Sequence, residues 1–389
     1  MSALARLIEA GFEVEVRQQH LLLHSVPYVT SACGMERGTL ICPYVENAGT
    51  VLPPDSHQVW WTGEYPCFAD GRRIGQIENE NSLRELFPGC LIRHRFSNKP
   101  DGGFADHYSQ LVHYVNIIQD QAKVLDSDLD ARTRRRIPQE VRDSPFCYAD
   151  SASARAEIQV TSSRLTLDAV AIIGLGGTGS YILDQVAKTP VSAIHIYDGD
   201  VFLQHNAFRA PGAATVEELA EQMPKVEYFG RKYGAMHRGI VRHPYYIDSA
   251  NVSELVHLNF AFICVDQGSV RGMLMNHLRS LQIPFVDVGM NLRMVHASST
   301  LVGSCRSTLS TPQRNDHLSQ YAPVDTDEED ALYQQNIQIA DMNALNAQLA
   351  IMQWKQYFGF YQDDFHVHNL TFAVNSMSLV RDATGKTAS

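Results

Sequence analysis

Residues 167–180 read LDAVAIIGLGGTGS, and the fold predicted for the larger part of the chain rests on this segment. A short apolar run, Ala169 to Ile173, predicts a β-strand that breaks into a tight glycine-rich turn. The glycines are Gly174, Gly176, Gly177 and Gly179. Glycine lets the backbone turn sharply and leaves room for a phosphate. A helix starting here would direct free amide hydrogens and its positive dipole end at that phosphate, so we predict a nucleotide-binding turn.

A second apolar run, Ala193 to Tyr197, completes a βαβ unit and is followed by Asp198. In a nicotinamide enzyme, an acid about 20 residues beyond the glycines binds the adenosine ribose. Asp198 occupies such a position, so the glycine pattern alone is weak evidence of function. At this point a NAD-dependent oxidoreductase and an ATP-binding enzyme both stay open.

The residues beyond Asp198 favour ATP over NAD as the nucleotide that this unit binds. Asn206 and Arg209 form an N-x-x-R that dehydrogenases do not require, and Lys225 follows within QMPKVE. Asp266 stands just after the apolar run FAFICV. Two cations and a second carboxylate suit a triphosphate with a magnesium ion better than a hydride carrier.

From about Arg155 to Asp363 the chain resembles the ThiF/MoeB adenylyltransferase family, whose fold is shared with ubiquitin-activating enzymes. PKVE lies a few residues further from the N-x-x-R than is usual in that family. The matching motifs, in the family's order, are GxGGxG at Gly174 to Gly179, D-x-D at Asp198 and Asp200, N-x-x-R at Asn206 and Arg209, PKVE with Lys225, and D…R at Asp266 and Arg271.

The resemblance implies a Rossmann-like nucleotide-binding domain that uses ATP and Mg²⁺ to adenylate the C-terminal glycine of a ubiquitin-like or sulfur-carrier protein. It also implies a homodimer, and the extra N-terminal region resembles the layout of bacterial conjugation systems, in which a conjugating enzyme is a further partner. The glycine backbone would lie against the phosphates. Asp198 would hold the ribose hydroxyls, with Asp200 beside it in the nucleotide site.

The same resemblance implies roles for the polar residues that follow. Asn206, Arg209 and Lys225 would meet the phosphate oxygens, and the two cations would neutralise the departing pyrophosphate. Asp266 would hold the magnesium ion. Members of the family place an arginine ahead of the glycine turn that often reaches the ATP of the neighbouring subunit. Arg155 is our candidate for it, with an ordinary surface arginine as the alternative.

Length and composition indicate two domains. The chain has 389 residues, of which 44% are hydrophobic and 19% charged, as in an ordinary globular protein. We predict an α+β domain over residues 1–145 that recruits a partner or the substrate, and the adenylation domain over residues 146–389. In the first domain, Trp60 and Trp61 are adjacent on a predicted strand and point to opposite faces. We expect one in the core and the other facing a partner.

Net charge and cysteine content limit the partners, cellular location and metal content expected of the protein. The formal net charge of −11 argues against nucleic acid as the main partner. No apolar run approaches the ~20 residues that span a bilayer, and no signal peptide is recognisable, so we expect a cytoplasmic protein with no membrane partner. The seven cysteines lack framework spacing, which is typical of reduced thiols. C-x-x-C is absent, unlike in many family members that bind zinc, so we predict no zinc.

Three routes after adenylation stay open. Ubiquitin-activating relatives carry a nucleophilic cysteine in a crossover loop, and the corresponding residues 308–330 contain none. The adenylate could pass directly to a partner, which we favour, or Cys305, slightly upstream, could form a thioester. The third route is an ester on a hydroxyl group. The hydroxyl candidates are Ser307, Thr308, Ser310 and Thr311.

Two other classes of function compete with adenylation. A NAD-dependent oxidoreductase would need a proton donor near the nicotinamide, and no convincing one is present. A non-catalytic scaffold that binds nucleotide would have no reason to retain Arg209, Lys225 and Asp266 together.

Overall fold

A computed structural model describes residues 2–138, 144–322 and 337–383. Internal contacts divide the chain into two compact units. The first comprises Met1–Asp143 and Tyr148–Ser163, and the second comprises Ser144–Cys147 and Arg164–Ser389. The mixed α/β class is confirmed, whereas the division into two domains at residue 145 stays a prediction.

The first unit contains a six-stranded antiparallel sheet in the order β1-β2-β3-β6-β8-β7, with a separate β4-β5 hairpin. Its strands are β1 (Val14–Arg17), β2 (His20–Val29), β3 (Met35–Pro43), β4 (Glu46–Asn47), β5 (Thr50–Val51), β6 (Val59–Trp61), β7 (Glu78–Phe87) and β8 (Cys90–Phe96). Its helices are α1 (Ala3–Glu9), α2 (His107–Leu125), α3 (Ser151–Arg155) and α4 (Gln159–Ser162), with a 3-10 turn at Gly75–Ile77.

Helix α2 supplies much of the core of this unit. Asp106 caps it, because its Oδ1 accepts a hydrogen bond of 2.8 Å from the Ser109 N–H. Leu111, Val115 and Ile118 recur at helical spacing and are all buried against the sheet. The helix packs on β2. The apolar spacing from Ala105 to Leu125 predicts one helix here, and the structure confirms it.

Both tryptophans of the first unit are buried, so the expectation that one of them faces a partner is wrong. Trp61 packs in the main core of the unit. Trp60 points to the other face of the sheet, where the guanidinium of Arg95 lies 5.3 Å from the centre of its ring. Arg95 is in turn paired with Glu157, in the segment that follows α3. The second face is therefore also covered, which the strand pattern alone did not indicate.

The second unit is built on an eight-stranded sheet in the order β11-β10-β9-β12-β13-β14-β15-β16. Its strands are β9 (Ala169–Ile173), β10 (Ala193–Tyr197), β11 (Ile240–His243), β12 (Phe260–Ile263), β13 (Phe285–Val295), β14 (Thr300–Ser310), β15 (Val367–Ala373) and β16 (Ser378–Ala383). Its helices are α5 (Gly177–Val186), α6 (Gln204–Ala207), α7 (Val216–Ala220), α8 (Lys225–Gly234), α9 (Gly268–Ser280), α10 (Leu318–Tyr321) and α11 (Ala340–Tyr357), and 3-10 turns lie at Ser163–Leu165 and Val252–His257.

The first five strands of this sheet are parallel and the last three pairings are antiparallel. The chain moves outward from β9 to β10 and β11, then returns to place β12 on the other side of β9. The strand order therefore reverses beside β9. In open α/β sheets, ligands bind at the carboxyl ends of the strands at such a switch point.

The central strand is buried on both faces of the sheet. Val170 and Ile172 belong to one apolar cluster, and Ala169, Ala171 and Ile173 belong to another. Alternate side chains of a strand point to opposite faces, so a continuous apolar run satisfies both clusters at once. This is why the sequence shows no polar alternation here.

Three elements of the second unit differ from what their sequence predicts. Tyrosine and isoleucine favour strands, so PYYIDSANV is predicted as strand material, but β11 ends at His243 and a loop with a 3-10 turn follows. The apolar segment IPFVDVGMN predicts a strand that ends at Asp287, but β13 continues to Val295, because it pairs with β14 along its whole length. The apolar spacing from Tyr333 onward predicts the C-terminal helix; α11 begins at Ala340, and Tyr333 lies outside the described residues.

Candidate functional site

The glycine turn lies at the switch point of the parallel sheet, between β9 and the start of α5. Gly174 has φ +96°, and a Cβ there would lie 2.8 Å from the carbonyl oxygen of Cys264, just beyond β12. Gly179 is packed more tightly, since a Cβ would lie 1.9 Å from the Gly174 carbonyl oxygen. Gly176 is different, because apart from its chain neighbours no described residue has an atom within 4 Å of its Cβ position. The turn is thus closed on one side and open at the residue that precedes α5.

Asp198, just beyond β10, holds the glycine turn in place. It is only 6% exposed. Its Oδ2 accepts a hydrogen bond of 2.7 Å from the Leu175 N–H, and its Oδ1 accepts one of 2.8 Å from the Asp200 N–H. Both carboxylate oxygens therefore bind backbone amides of this unit. The assignment of Asp198 to the ribose hydroxyls stays a prediction.

Lys225 lies between the two acids of the D-x-D motif. It is the first residue of α8 and is 5% exposed. Its Nζ lies 2.6 Å from Asp200 Oδ2 and 3.3 Å from Asp198 Oδ2. Its backbone N–H donates a hydrogen bond of 2.8 Å to the Asp200 carbonyl oxygen, which holds the PKVE segment against the D-x-D segment. The ammonium is therefore held rigidly beside the glycine turn.

Asp200 presents its carboxylate to solvent more than Asp198 does, with a side chain that is 51% exposed. Burial alone would raise the pKa of Asp200 and is the largest single influence. Hydrogen bonds from Lys225 and Tyr246, together with the charges of Lys225 and Arg209, outweigh it and hold the pKa below its usual value. Asp200 is thus an ionised carboxylate that is accessible to solvent.

Tyr246, in the loop after β11, also contacts the cluster formed by Asp198, Asp200 and Lys225. Its hydroxyl donates a hydrogen bond to Asp200, and its ring lies over the backbone of Gly199, where a Cβ would be 2.6 Å from the ring. The hydrogen bond to Asp200, burial, and the charges of Asp200, Asp198 and Asp266 raise the pKa of Tyr246 to about 12. The sequence offered no signal for this residue, which follows the single proline Pro244 in an irregular loop.

Arg209 lies close enough to Asp200 for its charge to act on that carboxylate, and it is half-buried. Its Nε is buried and has no hydrogen-bond partner among the described residues. Asn206, in the short helix α6 just before it, is buried and accepts a hydrogen bond of 2.9 Å from the Leu203 N–H. The N-x-x-R motif thus contains Asn206, which shapes the turn, and Arg209, whose Nε is available to bind an anion.

Asp266 follows β12 by three residues and is exposed, on the side of the switch point opposite to Asp198. A single carboxylate fits magnesium, which is commonly bound through one or two carboxylates together with substrate phosphates and water. Among the described residues no group of three or more His, Cys, Asp or Glu side chains could hold a metal by itself. Asp266 as the magnesium ligand therefore stays a prediction.

Arg155 lies at the end of α3 in the first unit, whereas the other predicted site residues lie in the second. Its Nη2 forms an ion pair with Asp55 Oδ2 at 2.9 Å, and its side chain is half-exposed. Its proposed contact with a nucleotide stays a prediction.

A buried charge cluster next to the site was missed by the sequence analysis. Asp287 in β13 is fully buried and pairs with Arg271 of α9 and Arg306 of β14. Arg271 Nε lies 3.0 Å from Asp287 Oδ1, a charge contact whose N–H is not aimed at the oxygen. The Arg271 guanidinium also donates a hydrogen bond of 2.7 Å to the Val265 carbonyl oxygen. Arg271, the last residue of the D…R motif, therefore anchors the loop that carries Asp266.

The side chains considered as nucleophiles after adenylation are all buried. Cys305 is 0% exposed within β14, and burial raises the pKa of its thiol to about 11. The Ser307 hydroxyl donates to Gln353 at 2.6 Å, and the Thr308 hydroxyl donates to Asn369 at 2.8 Å. The buried hydroxyl candidates are Ser307, Thr308, Ser310 and Thr311. Whether any of these groups forms a covalent intermediate stays a prediction.

The glycine turn supports a paired prediction. Gly179→Ala is expected to lower the free energy of unfolding by about 1–3 kcal/mol, because its methyl group would overlap the Gly174 carbonyl oxygen. Gly176→Ala is expected to leave stability unchanged and to weaken ATP binding about tenfold, because its methyl group would enter the open space before α5. Urea unfolding and calorimetric titration measure the two effects. Normal ATP affinity in the Gly176 variant would place the phosphates elsewhere.

Comparison with known proteins adds limited information. Residues 2–151 match a family model described as a domain of unknown function, DUF6791. No curated protein sequence matches the chain. Within the described residues, none of the helices is both long enough and apolar enough to cross a membrane.

Among solved structures, the chain is similar to E. coli MccB with MccA-N7isoAsn, at 14% identity over 61% of this chain and 73% of that one, with a TM-score of 0.47. It is similar to E. coli MccB with ATP at 14% identity, over 59% and 67% of the chains, with a TM-score of 0.41. Selenomethionine PaaA gives 13% identity over 86% and 98%, with a TM-score of 0.47. At these identities and TM-scores the similarities carry no argument about activity.

Proposed function

We propose that the protein is an ATP-dependent adenylyltransferase that activates the C-terminal carboxylate of a small ubiquitin-like or sulfur-carrier polypeptide. The observation that carries the proposal is the pairing of a glycine turn with two cations at one switch point. Lys225 is rigidly held there, and the half-buried Arg209 has a buried Nε without a partner among the described residues. A dehydrogenase would have no use for two such cations beside a pyrophosphate that stays intact.

The reaction fits what these residues can do. A carboxylate is a poor electrophile, and joining it to AMP gives it a good leaving group. The carboxylate oxygen attacks the α-phosphorus in line, the bond from that phosphorus to the bridging oxygen breaks, and pyrophosphate leaves. The protein's contribution is positioning and charge stabilisation. Arg209 and Lys225 supply positive charge to the departing pyrophosphate, and the first turn of α5 supplies amide hydrogens.

The ribose end of the nucleotide is assigned to the D-x-D segment. Asp200 is exposed, ionised and oriented by Tyr246, so it is the more accessible acceptor for ribose hydroxyls. Asp198 contributes by fixing the turn at Leu175 and by accepting the hydrogen bond from the Asp200 N–H, which positions the D-x-D segment. Asp266 would hold Mg²⁺, which would neutralise phosphate charge when bound.

The product is proposed to leave as an adenylate rather than as an enzyme thioester. The support is the burial of Cys305 and of the neighbouring hydroxyls, each of which is held in a strand or directly beyond it. A partner enzyme would therefore provide the accepting nucleophile. We further propose that the first unit recruits that partner or the polypeptide, and that a homodimer brings Arg155 of one subunit to the other subunit's nucleotide.

The test uses the full chain with ATP, Mg²⁺ and a small ubiquitin-like polypeptide that ends in Gly-Gly. We expect pyrophosphate release, an AMP-linked polypeptide, and polypeptide-dependent exchange of labelled pyrophosphate into ATP. No polypeptide should remain attached to the enzyme in a form that dithiothreitol releases. The matched control is the same polypeptide with a C-terminal amide, which has no carboxylate to activate. Equal exchange with the amide, or tight binding of NAD in preference to ATP, would contradict the proposal.

A further inference from the structure

A buried side-chain amide of helix α11 lies on the first turn of α5, directly after the glycine turn. Asn343 is 1% exposed, and its Oδ1 accepts a hydrogen bond of 3.0 Å from the Thr178 hydroxyl. Its Nδ2 lies so close to Gly177 that a Cβ there would be 2.1 Å from it. Asn343 therefore occupies the space that only a glycine at position 177 leaves open.

The amide nitrogen of Asn343 is not satisfied by the protein. Nδ2 is buried and has no hydrogen-bond partner among the described residues. Burying a polar donor without a partner is costly, so such groups in native proteins call for an explanation, often a ligand or an ion. Gln353, on the same helix, shows the usual arrangement, because it accepts from Ser307 at 2.6 Å and donates to the Val367 carbonyl oxygen at 3.3 Å.

The surroundings of the unpartnered donor suit an anion. It lies at the amino end of α5, a helix of ten residues, where the first-turn amide hydrogens and the helix dipole also favour negative charge. Asn346, one turn further along α11, differs in the group it leaves unpaired. Its Nδ2 donates to the Gly289 carbonyl oxygen at 3.2 Å, and its Oδ1 is the atom without a partner among the described residues. An acceptor cannot bind an anion, so only Asn343 fits this role.

We propose that Asn343 is a nucleotide-binding residue whose side-chain amide donates a hydrogen bond to an oxygen of the α-phosphate. The proposal rests on the proposed function, which places the nucleotide phosphates at the glycine turn. The D-x-D acids follow β10, which lies next to β9, so the phosphate attached to the ribose is the first to reach the start of α5. Asn343 of helix α11 thereby binds the phosphate at which the carboxylate attacks. The Thr178 hydroxyl orients the Asn343 side-chain amide.

The test compares adenosine with AMP, which differ only by the phosphate concerned. Calorimetric titration of the full chain gives both dissociation constants, and their ratio measures the contribution of the phosphate. In Asn343→Ala we expect this ratio to fall about 10- to 100-fold, the effect of one hydrogen bond to a charged group, with adenosine affinity unchanged. Asn343→Asp keeps an acceptor for Thr178 but replaces the donor with a negative charge, and it should lower the ratio further. Asn346→Ala, of the same size and on the same helix, should keep the wild-type ratio.

The outcomes separate this proposal from the proposed function. If Asn343→Ala keeps the wild-type ratio, or if it weakens adenosine and AMP equally, Asn343 does not bind the α-phosphate. If the loss appears only between AMP and ATP, a later phosphate is the one contacted and the assignment is wrong. If the wild-type protein binds no adenine nucleotide, the proposed function fails and this proposal with it. Asn343→Ser, whose side chain is too short to reach, replaces the alanine variant should that variant fail to unfold cooperatively.

Discussion

Arg209→Ala is expected to slow adenylate formation severely while leaving the fold intact. The Arg209 side chain has no ion-pair partner among the described residues. Its buried Nε makes no hydrogen bond with any of them. In the folded protein its charge acts on Asp200, but Asp200 is also paired with Lys225, so the substitution leaves no carboxylate without a cation. A cation that meets the phosphates stabilises the transition state far more than the folded state. Removing it should lower kcat/KM for polypeptide-dependent pyrophosphate exchange by about 10³-fold.

The matched control for that prediction is Arg231→Ala. Arg231 lies on α8 and pairs with Glu221 at 3.1 Å on the exposed surface, away from the glycine turn. Exchange should be unchanged in this variant, and the urea midpoints of both variants should equal the wild-type value. Wild-type exchange in Arg209→Ala would remove the arginine from the proposed site. A large fall in its urea midpoint would show instead that the side chain supports the fold.

Lys225→Met is expected to lose both activity and stability, which distinguishes it from the arginine variant. The substitution leaves Asp198 buried without its cation and Asp200 without its ion-pair partner. Breaking a buried pair by removing one partner costs about 3–5 kcal/mol, and the exposure of Asp200 favours the lower end of that range. Urea unfolding should show a loss of about 3 kcal/mol, and pyrophosphate exchange should fall below detection.

A double variant separates the two effects of losing Lys225. Adding Asp200→Asn to Lys225→Met removes one unpaired carboxylate and should recover part of the lost stability without restoring exchange. The surface comparison is Lys188→Met, since Lys188 is half-exposed and pairs with Asp184 at 2.7 Å within one helix turn. That change should alter the free energy of unfolding by no more than about 0.5 kcal/mol. If Lys225→Met proves as stable as Lys188→Met, the ion-pair network does not hold the site together.

Much of the second unit could be predicted from the sequence because its signals are local. The strands β9 and β10 and the start of α5 follow from two apolar runs and the glycine turn between them. The first unit was harder to predict, since the order of its sheet depends on pairings between distant strands. The 3-10 turn after β11 was missed because tyrosine and isoleucine favour strands wherever tertiary packing does not override them.

The glycine turn and the order of the acids and cations that follow it could be predicted from the sequence, because backbone conformation and motif spacing are properties of neighbouring residues. Which of these groups are already paired depends on the tertiary structure. It placed Lys225 between Asp198 and Asp200, left the Arg209 Nε without a partner among the described residues, and laid Asn343 over Gly177. Those relations join residues separated by tens to more than a hundred positions. No local pattern encodes them, since they depend on how helices and strands pack together.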